Sequence, residues 1–587
     1  LSKYKQAIQN AFPFPEFRIN QEEIIHDIVE SFDQITDHFV LESPTGVGKS
    51  AICFTVGKAL AKLNDNLNIK SNETGPPILI LSSTRQLQVQ YIESFNNRSD
   101  FNHIWSAKNY ECAEFPLTSK ENIEFDVHFG SPLCMGAKKC IAAKEYRCEY
   151  LLQKEKFMSG QVGVTNYAYF MNSCALKPKI LVCDEAHNLQ KILCDYATLS
   201  LSEDQLAFMA YQITKQSGGE LCVDFKNLIQ KVNKLTNNKH IKNASFQNPE
   251  VLSLISDYID EAYNEINPII KKLEILIMKL KRIKKYKTHV SKLNRVKENL
   301  TDIYDKYDMF LSSTTQWVYN LVKFTKKNGE ESKTIEVKPL EVHEYFKSLI
   351  GDRVKKSLFM SASICGVNQF CQELGIPEYD FKQTGSTIPV ENRTVHVVNN
   401  LGKLTYKNKD EMMPKFIITI DRILKYLYEK NDGKKINGII HTVSYDNAER
   451  ILAASQYASN MLIPNKKDLL NLDKVITEGK ANVIVSPSII EGVDLVDDLS
   501  RFQIFLKVPY QFIGDIWVKT KMNMNSKWYS RMAIIKIVQG CGRSIRSDKD
   551  WAETFILDGN FNRLMQYDNE LFPEWFKESV RSYNIQI

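Results

Sequence analysis

The sequence predicts an α/β protein with two parallel-sheet lobes, one toward each end, and a helical segment set between them. Three short apolar runs occur early: Phe39-Val40-Leu41, Ile78-Leu79-Ile80-Leu81 and Ile180-Leu181-Val182-Cys183. Each passes at once into polar or Gly-containing sequence, as buried parallel strands that end in functional loops do. A similar set returns late as Gly438-Ile439-Ile440-His441, Asn482-Val483-Ile484-Val485 and Phe502-Gln503-Ile504-Phe505-Leu506. Between them, roughly residues 200 to 340 are Lys-rich and poor in Gly and Pro. There Ile269, Leu273, Leu276, Leu280 and Ile283 recur at alternating steps of four and three, and Val290, Leu293 and Leu300 continue the stripe. That period predicts a long amphipathic helix or helical hairpin packed on its neighbours. The basic run from Lys279 to Lys287 reads as a solvated face, with phosphate contact as the alternative.

Size and composition agree with this division. A chain of 587 residues is too long for one hydrophobic core and predicts about three or four units. Hydrophobic residues at 43% and charged residues at 25% are close to the soluble average, which argues against a disordered tail or a membrane protein. No apolar run approaches the length of a bilayer span. The stretch Leu1-Ser2-Lys3-Tyr4-Lys5 shows no secretory signal, so an intracellular location is expected, cytoplasmic or, in a eukaryote, nuclear. A net charge of +6 permits nucleic acid as a partner without implying it. In a reducing compartment the twelve cysteines are buried thiols or metal ligands rather than disulfides.

The first strand runs into Ser43-Pro44-Thr45-Gly46-Val47-Gly48-Lys49-Ser50, and a helix-like run follows from Ala51. Strand, loop and helix in that order are the context of a phosphate-binding loop. Gly46 and Gly48 let successive N–H groups turn inward, the helix N-terminus adds partial positive charge, Lys49 reaches the β and γ phosphates, and Ser50 offers its hydroxyl to Mg²⁺. Ser43 occupies the first position, where the strict pattern has Gly. The third strand ends in Asp184-Glu185-Ala186-His187. Two carboxylates at the tip of a buried strand need a cation, and the Mg²⁺ of a nucleotide on the neighbouring loop supplies it. Asp184 is expected to hold the metal through water, and Glu185 to orient and deprotonate the attacking water. His187 is expected to link the nucleotide site to the second lobe, while Arg18 and Gln21 grip the base and near phosphate.

Late in the chain, Gln539-Gly540-Cys541-Gly542-Arg543-Ser544-Ile545-Arg546 places two arginines three apart, on one helical face. Guanidinium groups suit the charge that develops on a transferring phosphoryl group. Glu491-Gly492-Val493-Asp494 and Met360-Ser361-Ala362-Ser363 add further loop signals near strand ends.

The order of these motifs, together with Thr84-Arg85-Gln86-Leu87-Gln88, Thr165-Asn166-Tyr167 and Glu391-Asn392-Arg393, resembles the superfamily 2 helicases of the XPD/DinG type. The resemblance runs over nearly the whole chain and is closer to the archaeal XPD-like members. It implies two RecA-like lobes with ATP in the cleft, Arg543 and Arg546 acting across that cleft, and Gly492, Asp494 and Gln539 on the nucleotide. It implies DNA contacts at Thr84, Arg85 and Tyr167. Ser363 stands where the family mostly has Thr. Cys112, Cys134, Cys140 and Cys148 lie where members of the family carry a [4Fe-4S] cluster, and Lys108-Asn109-Tyr110-Glu111-Cys112 matches the segment before the first ligand. On thiolate chemistry alone zinc fits as well.

The domain reading is a first part of lobe 1 at 1–108, an iron-sulfur domain at 109–150, the Asp184-Glu185 part of lobe 1 at 151–199, an arch-like helical insertion at 200–342, the last part of lobe 1 at 343–380, and lobe 2 at 381–587. The resemblance implies an ATP-dependent helicase moving 5′ to 3′ on single-stranded DNA. Its partners would be forked duplex DNA and repair-complex proteins, with the motor itself a monomer and no membrane involved. The rival readings are a DNA-stimulated translocase that remodels complexes without separating strands, and a scaffold with a degenerate ATPase fold.

Overall fold

The computed structural model describes residues 2–63, 74–112, 148–217, 220–242, 248–281, 287–326, 329–465, 468, 471–487, 497–545 and 550–583. Among them, two seven-stranded sheets and one three-stranded sheet organise the chain. The first sheet collects β1 (His38–Glu42), β2 (Ile78–Ser82), β3 (Phe101–His103), β4 (Val162–Asn166) and β5 (Ile180–Asp184). Its middle is shared with strands from much later in the chain. After β6 (Leu199–Ser202), β7 (Trp317–Thr325) and β8 (Glu331–Pro339), the chain returns as β9 (Lys356–Ser361) and β10 (Asp380–Gln383). The order is β10-β1-β9-β5-β2-β4-β3, all parallel. β1, β2, β5 and β9 are buried nearly throughout, which is why they read as unbroken apolar runs rather than as alternating ones.

The second sheet comprises β11 (Val395–Val398), β12 (Gly438–His441), β13 (Met461–Leu462), β14 (Val483–Ser486), β15 (Phe502–Phe505), β16 (Glu553–Ile556) and β17 (Val580–Tyr583). Its order is β13-β14-β12-β15-β16-β11-β17, again parallel. The fold is therefore α/β with two parallel-sheet lobes. Because β10 pairs with β1 through Gln383, the first sheet extends past the expected boundary at 380.

The segment between the lobes contains helices Glu203–Ser217, Glu220–Thr236, Pro249–Lys281 and Lys287–Ser312. Ile269, Leu273, Val290, Leu293 and Leu300 are buried on the packed faces of the two long helices, as their period predicts. Ile283 and most of the basic run lie outside the described residues. The segment is not purely helical: β6, β8 and β7 form an antiparallel sheet at its base. Ile335 and Val337 alternate with Thr334, Glu336 and Lys338 in the sequence, and Asn328-Gly329 precedes β8, so a hairpin signal was present beneath the stronger helical one.

Candidate active site

The loop after β1 owes its shape to two glycines and a long-range brace. Gly46 has φ 93° and Gly48 φ 84°, the left-handed region that L side chains avoid. A Cβ on Gly48 would stand 2.5 Å from Gln21 Nε2. That amide donates to the carbonyls of Val47 and Gly48 at 3.1 Å each, and Arg18 Nη1 donates to Gly46 O. Arg18 and Gln21 thus hold the loop from outside its own segment. Lys49 Nζ donates to the carbonyls of Ser43 and Pro44 at 3.1 and 3.4 Å. Ser43 is fully buried, its hydroxyl accepts from Thr384 Oγ1 at 2.9 Å, and its N–H donates to Ser361 O. A glycine there would lose the tie to Thr384. Thr45 Oγ1 reaches across to Ile545 O in the second lobe at 3.3 Å.

Asp184 ends β5 and is 5% exposed. Its Oδ2 accepts from Tyr91 Oη at 3.0 Å and its Oδ1 from Glu185 N at 3.0 Å. Burial, then the neighbouring Glu185 charge, pushes its pKa up to about 6, the environment of a carboxylate that a cation would stabilise. Glu185 sits at φ 50°. Burial works against its charge, but the His187 imidazole at 3.2 Å and the charges of Lys49 and Arg543 outweigh it and hold its carboxyl down at about 2. Ser50 and Asp184 therefore face one space with an oxygen donor set that suits Mg²⁺.

That space is a cavity of about 400 Å³ lined by the loop, Asp184 and Glu185 on one side and by Phe12, Phe14, Gln90 and Tyr91 on another. Sequence reasoning missed this second wall. Phe12 stacks on Phe17 at 3.9 Å, and Phe14 packs on Phe95. The aromatic run Phe12-Pro13-Phe14 just before Arg18 and Gln21 was the available signal.

His187 Nδ1 is 2.7 Å from Ser361 Oγ within the first lobe, and across the cleft its ring meets the amide nitrogen of Gln539. Gln539 lies near the end of helix Ser526–Cys541, with Arg543 just beyond. Arg543 acts electrostatically on both Glu185 and His441. The same helix is fastened to the first lobe by Arg531, 1% exposed, whose Nε donates to the carbonyls of Ile364 and Cys365 and whose Nη1 pairs with Glu373 at 3.0 Å. Arg546, Gly492 and Asp494, with Glu491 and Val493, lie outside the described residues.

Residues 14–205 match the family model described as type III restriction enzyme, res subunit, and residues 420–579 match the helicase C-terminal domain. The chain is 20% identical over 509 residues to ATP-dependent DNA helicase CHL1 of Eremothecium gossypii, covering 74% of this chain and 60% of that protein. To ATP-dependent DNA helicase YoaA of Escherichia coli it is 22% identical over 471 residues, covering 74% of this chain and 68% of that one. The chain is thus similar to proteins named as ATP-dependent DNA helicases. Solved structures share the fold: an XPD helicase superposes with a TM-score of 0.59 at 17% identity, covering 97% of this chain and all of that one. Xpd4 of S. tokodaii gives 0.57 at 12% identity, covering 96% and 100%. The chain spans about 60% of the length of the CHL1 relative.

In the first lobe, Thr84 caps the helix Arg85–Phe95, accepting from Leu87 N at 3.2 Å, and both Thr84 and Arg85 are exposed. The Arg85 guanidinium lies 4.7 Å over the Trp105 ring. The DNA contact expected of Tyr167 needs correction. The residue is 2% exposed and its hydroxyl donates to Asp184 O at 3.1 Å, so its ring has no free face for a base.

Of the four cysteines, Cys134 and Cys140 lie outside the described residues. Cys112 and Cys148 stand at the two ends of that stretch, and Tyr110 and Tyr150, two positions from each, pack with ring centroids 5.6 Å apart. The ends are thereby brought together, as a shared ligand set requires. Among the described residues no three His, Cys, Asp or Glu side chains group as metal ligands. No helix among them is long and apolar enough to cross a membrane.

Proposed function

We propose that the chain is an ATP-dependent DNA helicase that moves 5′ to 3′ on single-stranded DNA and separates forked duplex, with DNA repair as its setting. The observation that carries the reading is the bridge from His187 to Gln539, which connects the carboxylates of one lobe to the arginine-bearing helix of the other. The activity named for the CHL1 and YoaA relatives supports the choice of DNA.

In this reading Gly46, Gly48, Lys49 and Ser50 cradle the phosphates of ATP, and Ser50 and Asp184 hold its Mg²⁺. The ion supplies charge neutralisation on the phosphates. Glu185, kept ionised by His187, Lys49 and Arg543, takes the proton of the water that attacks the γ-phosphate. Arg543 and Arg546 stabilise the transition-state charge from the second lobe. Each turnover alters the grip between the lobes and ratchets a strand held by its backbone, with Thr84 and Arg85 on the strand. Cys112, Cys134, Cys140 and Cys148 would hold a [4Fe-4S] cluster.

The test is DNA-stimulated ATP hydrolysis measured beside unwinding of 5′- and 3′-tailed duplexes, with Lys49→Ala as control. Unwinding of the 5′-tailed fork that Lys49→Ala abolishes is the expected result. Hydrolysis without unwinding selects the remodelling translocase, and neither activity selects a scaffold.

A further inference from the structure

Asp184 is supported by hydroxyl and thiol groups whose hydrogen bonds run away from the phosphate-binding loop. Tyr91 lies on the helix Arg85–Phe95, is 1% exposed, and donates its hydroxyl proton to Asp184 Oδ2 at 3.0 Å. Its oxygen is 3.3 Å from Sγ of Cys53, a fully buried residue of the helix that begins at Lys49. Burial first, and the Asp184 charge second, push the Cys53 thiol well above its ordinary pKa, so it remains an S–H donor. With the Tyr91 proton given to Asp184, the single thiol proton goes to Tyr91 Oη or, at 3.8 Å, to Met360 Sδ.

Packing alone does not call for a hydroxyl here. The Tyr91 ring already meets Phe95 with centroids 6.4 Å apart, and phenylalanine would fill the same volume. A buried hydroxyl costs free energy unless it finds a partner, and this one is directed at a carboxylate oxygen. The other oxygen accepts from Glu185 N, and Tyr167 donates to the main-chain carbonyl. Asp184 is therefore held at three of its oxygen atoms, two on the side chain and one on the backbone, before any ion arrives.

We propose that Tyr91 is a positioning residue for metal binding: its O–H, steered by Cys53, fixes the Asp184 carboxylate in the orientation that receives the Mg²⁺ of the bound nucleotide. The proposal rests on reading Asp184 as the metal-binding carboxylate. Preorganisation of this kind acts on metal affinity more than on the nucleotide's own contacts, because the Tyr91 hydroxyl is hydrogen-bonded to Asp184 and Cys53 rather than to the phosphate-binding loop.

The experiment titrates Mg²⁺ against a fluorescent ADP bound to the full chain, and follows Mn²⁺ binding separately by electron paramagnetic resonance. Wild-type protein must first show metal-dependent tightening of ADP. Its absence there would defeat the nucleotide and metal reading itself, before Tyr91 is tested. Tyr91→Phe keeps the ring that lines the cavity and is expected to raise the metal concentration for half-maximal tightening by roughly 10-fold, the usual scale for an outer-shell partner, and to change metal-free ADP affinity by much less. Cys53→Ala is expected to shift the same midpoint in the same direction by less, which keeps a readout should Tyr91→Phe fold poorly. Metal titrations of both variants that overlay the wild type overturn the proposal. A loss of metal-free ADP binding equal to the loss of metal binding also overturns it, since that marks a packing defect.

Discussion

The amide nitrogen of Gln539 rests on the imidazole of His187, 352 residues earlier in the chain, and His187 is in turn 3.2 Å from the carboxylate of Glu185. One hydrogen-bonded path thus runs from the arginine-bearing helix of the second lobe to the acidic strand end of the first. Gln539→Ala removes the amide that meets His187 without emptying a core position. The expected outcome is DNA-stimulated kcat lowered by up to about 10-fold, the scale of one hydrogen bond, with ATP binding retained. Steady-state kinetics with and without single-stranded DNA check this; an unchanged kcat would break the path.

Glu185→Gln keeps the shape of the side chain and removes its basicity. ATP hydrolysis is expected to fall by about 10² to 10⁴-fold, the range for a general base, while nucleotide affinity stays within a few-fold. Single-turnover hydrolysis beside equilibrium binding separates the two.

His441 is 1% exposed, its Nε2 donates to Gln503 Oε1 at 2.8 Å, and its ring stacks on Phe505. Burial chiefly, with Arg543 adding to it and Gln503 opposing, lowers its pKa to about 4 from 6.5. The unfolded chain therefore binds a proton that the folded chain refuses between those values. Stability is full above pH 6.5 and is lost as pH falls toward 4, by about 3 kcal/mol at most for a shift of that size. Replacing His441 by Gln should flatten the dependence of Tm on pH in that window, as calorimetry between pH 4 and 7 would show.

The cysteine reading predicts brown protein with about four irons per chain after anaerobic purification. Cys112→Ser and Cys148→Ser should each lose iron and visible absorbance. Colourless protein that carries zinc would assign the same thiolates to a different metal.

Much of the candidate site was legible because it is local. Ser43 to Ser50 declares its turn through Gly46 and Gly48, whose positive φ angles other residues resist, and Asp184 with Glu185 declares itself as paired charge at the end of an apolar run. The three-stranded sheet was not read, because Trp317–Thr325 and Glu331–Pro339 follow long helices whose period dominates that region. Tyr167 was misassigned for a related reason: an aromatic beside a functional motif looks the same in sequence whether it faces solvent or, as here, lies at 2% exposure under Asp184.

By itself, then, the sequence determined the two α/β lobes and the phosphate loop, since hydrophobic period and glycine conformational freedom act over a few residues. The tertiary structure alone decided what faces that loop. Gln21 beneath Gly48, Tyr91 behind Asp184 and Gln539 on His187 are contacts across 27, 93 and 352 residues. No local pattern specifies such partners. They follow from how parallel strands that are distant in the chain are ordered in one sheet, and from how the second lobe seats on the first through Arg531.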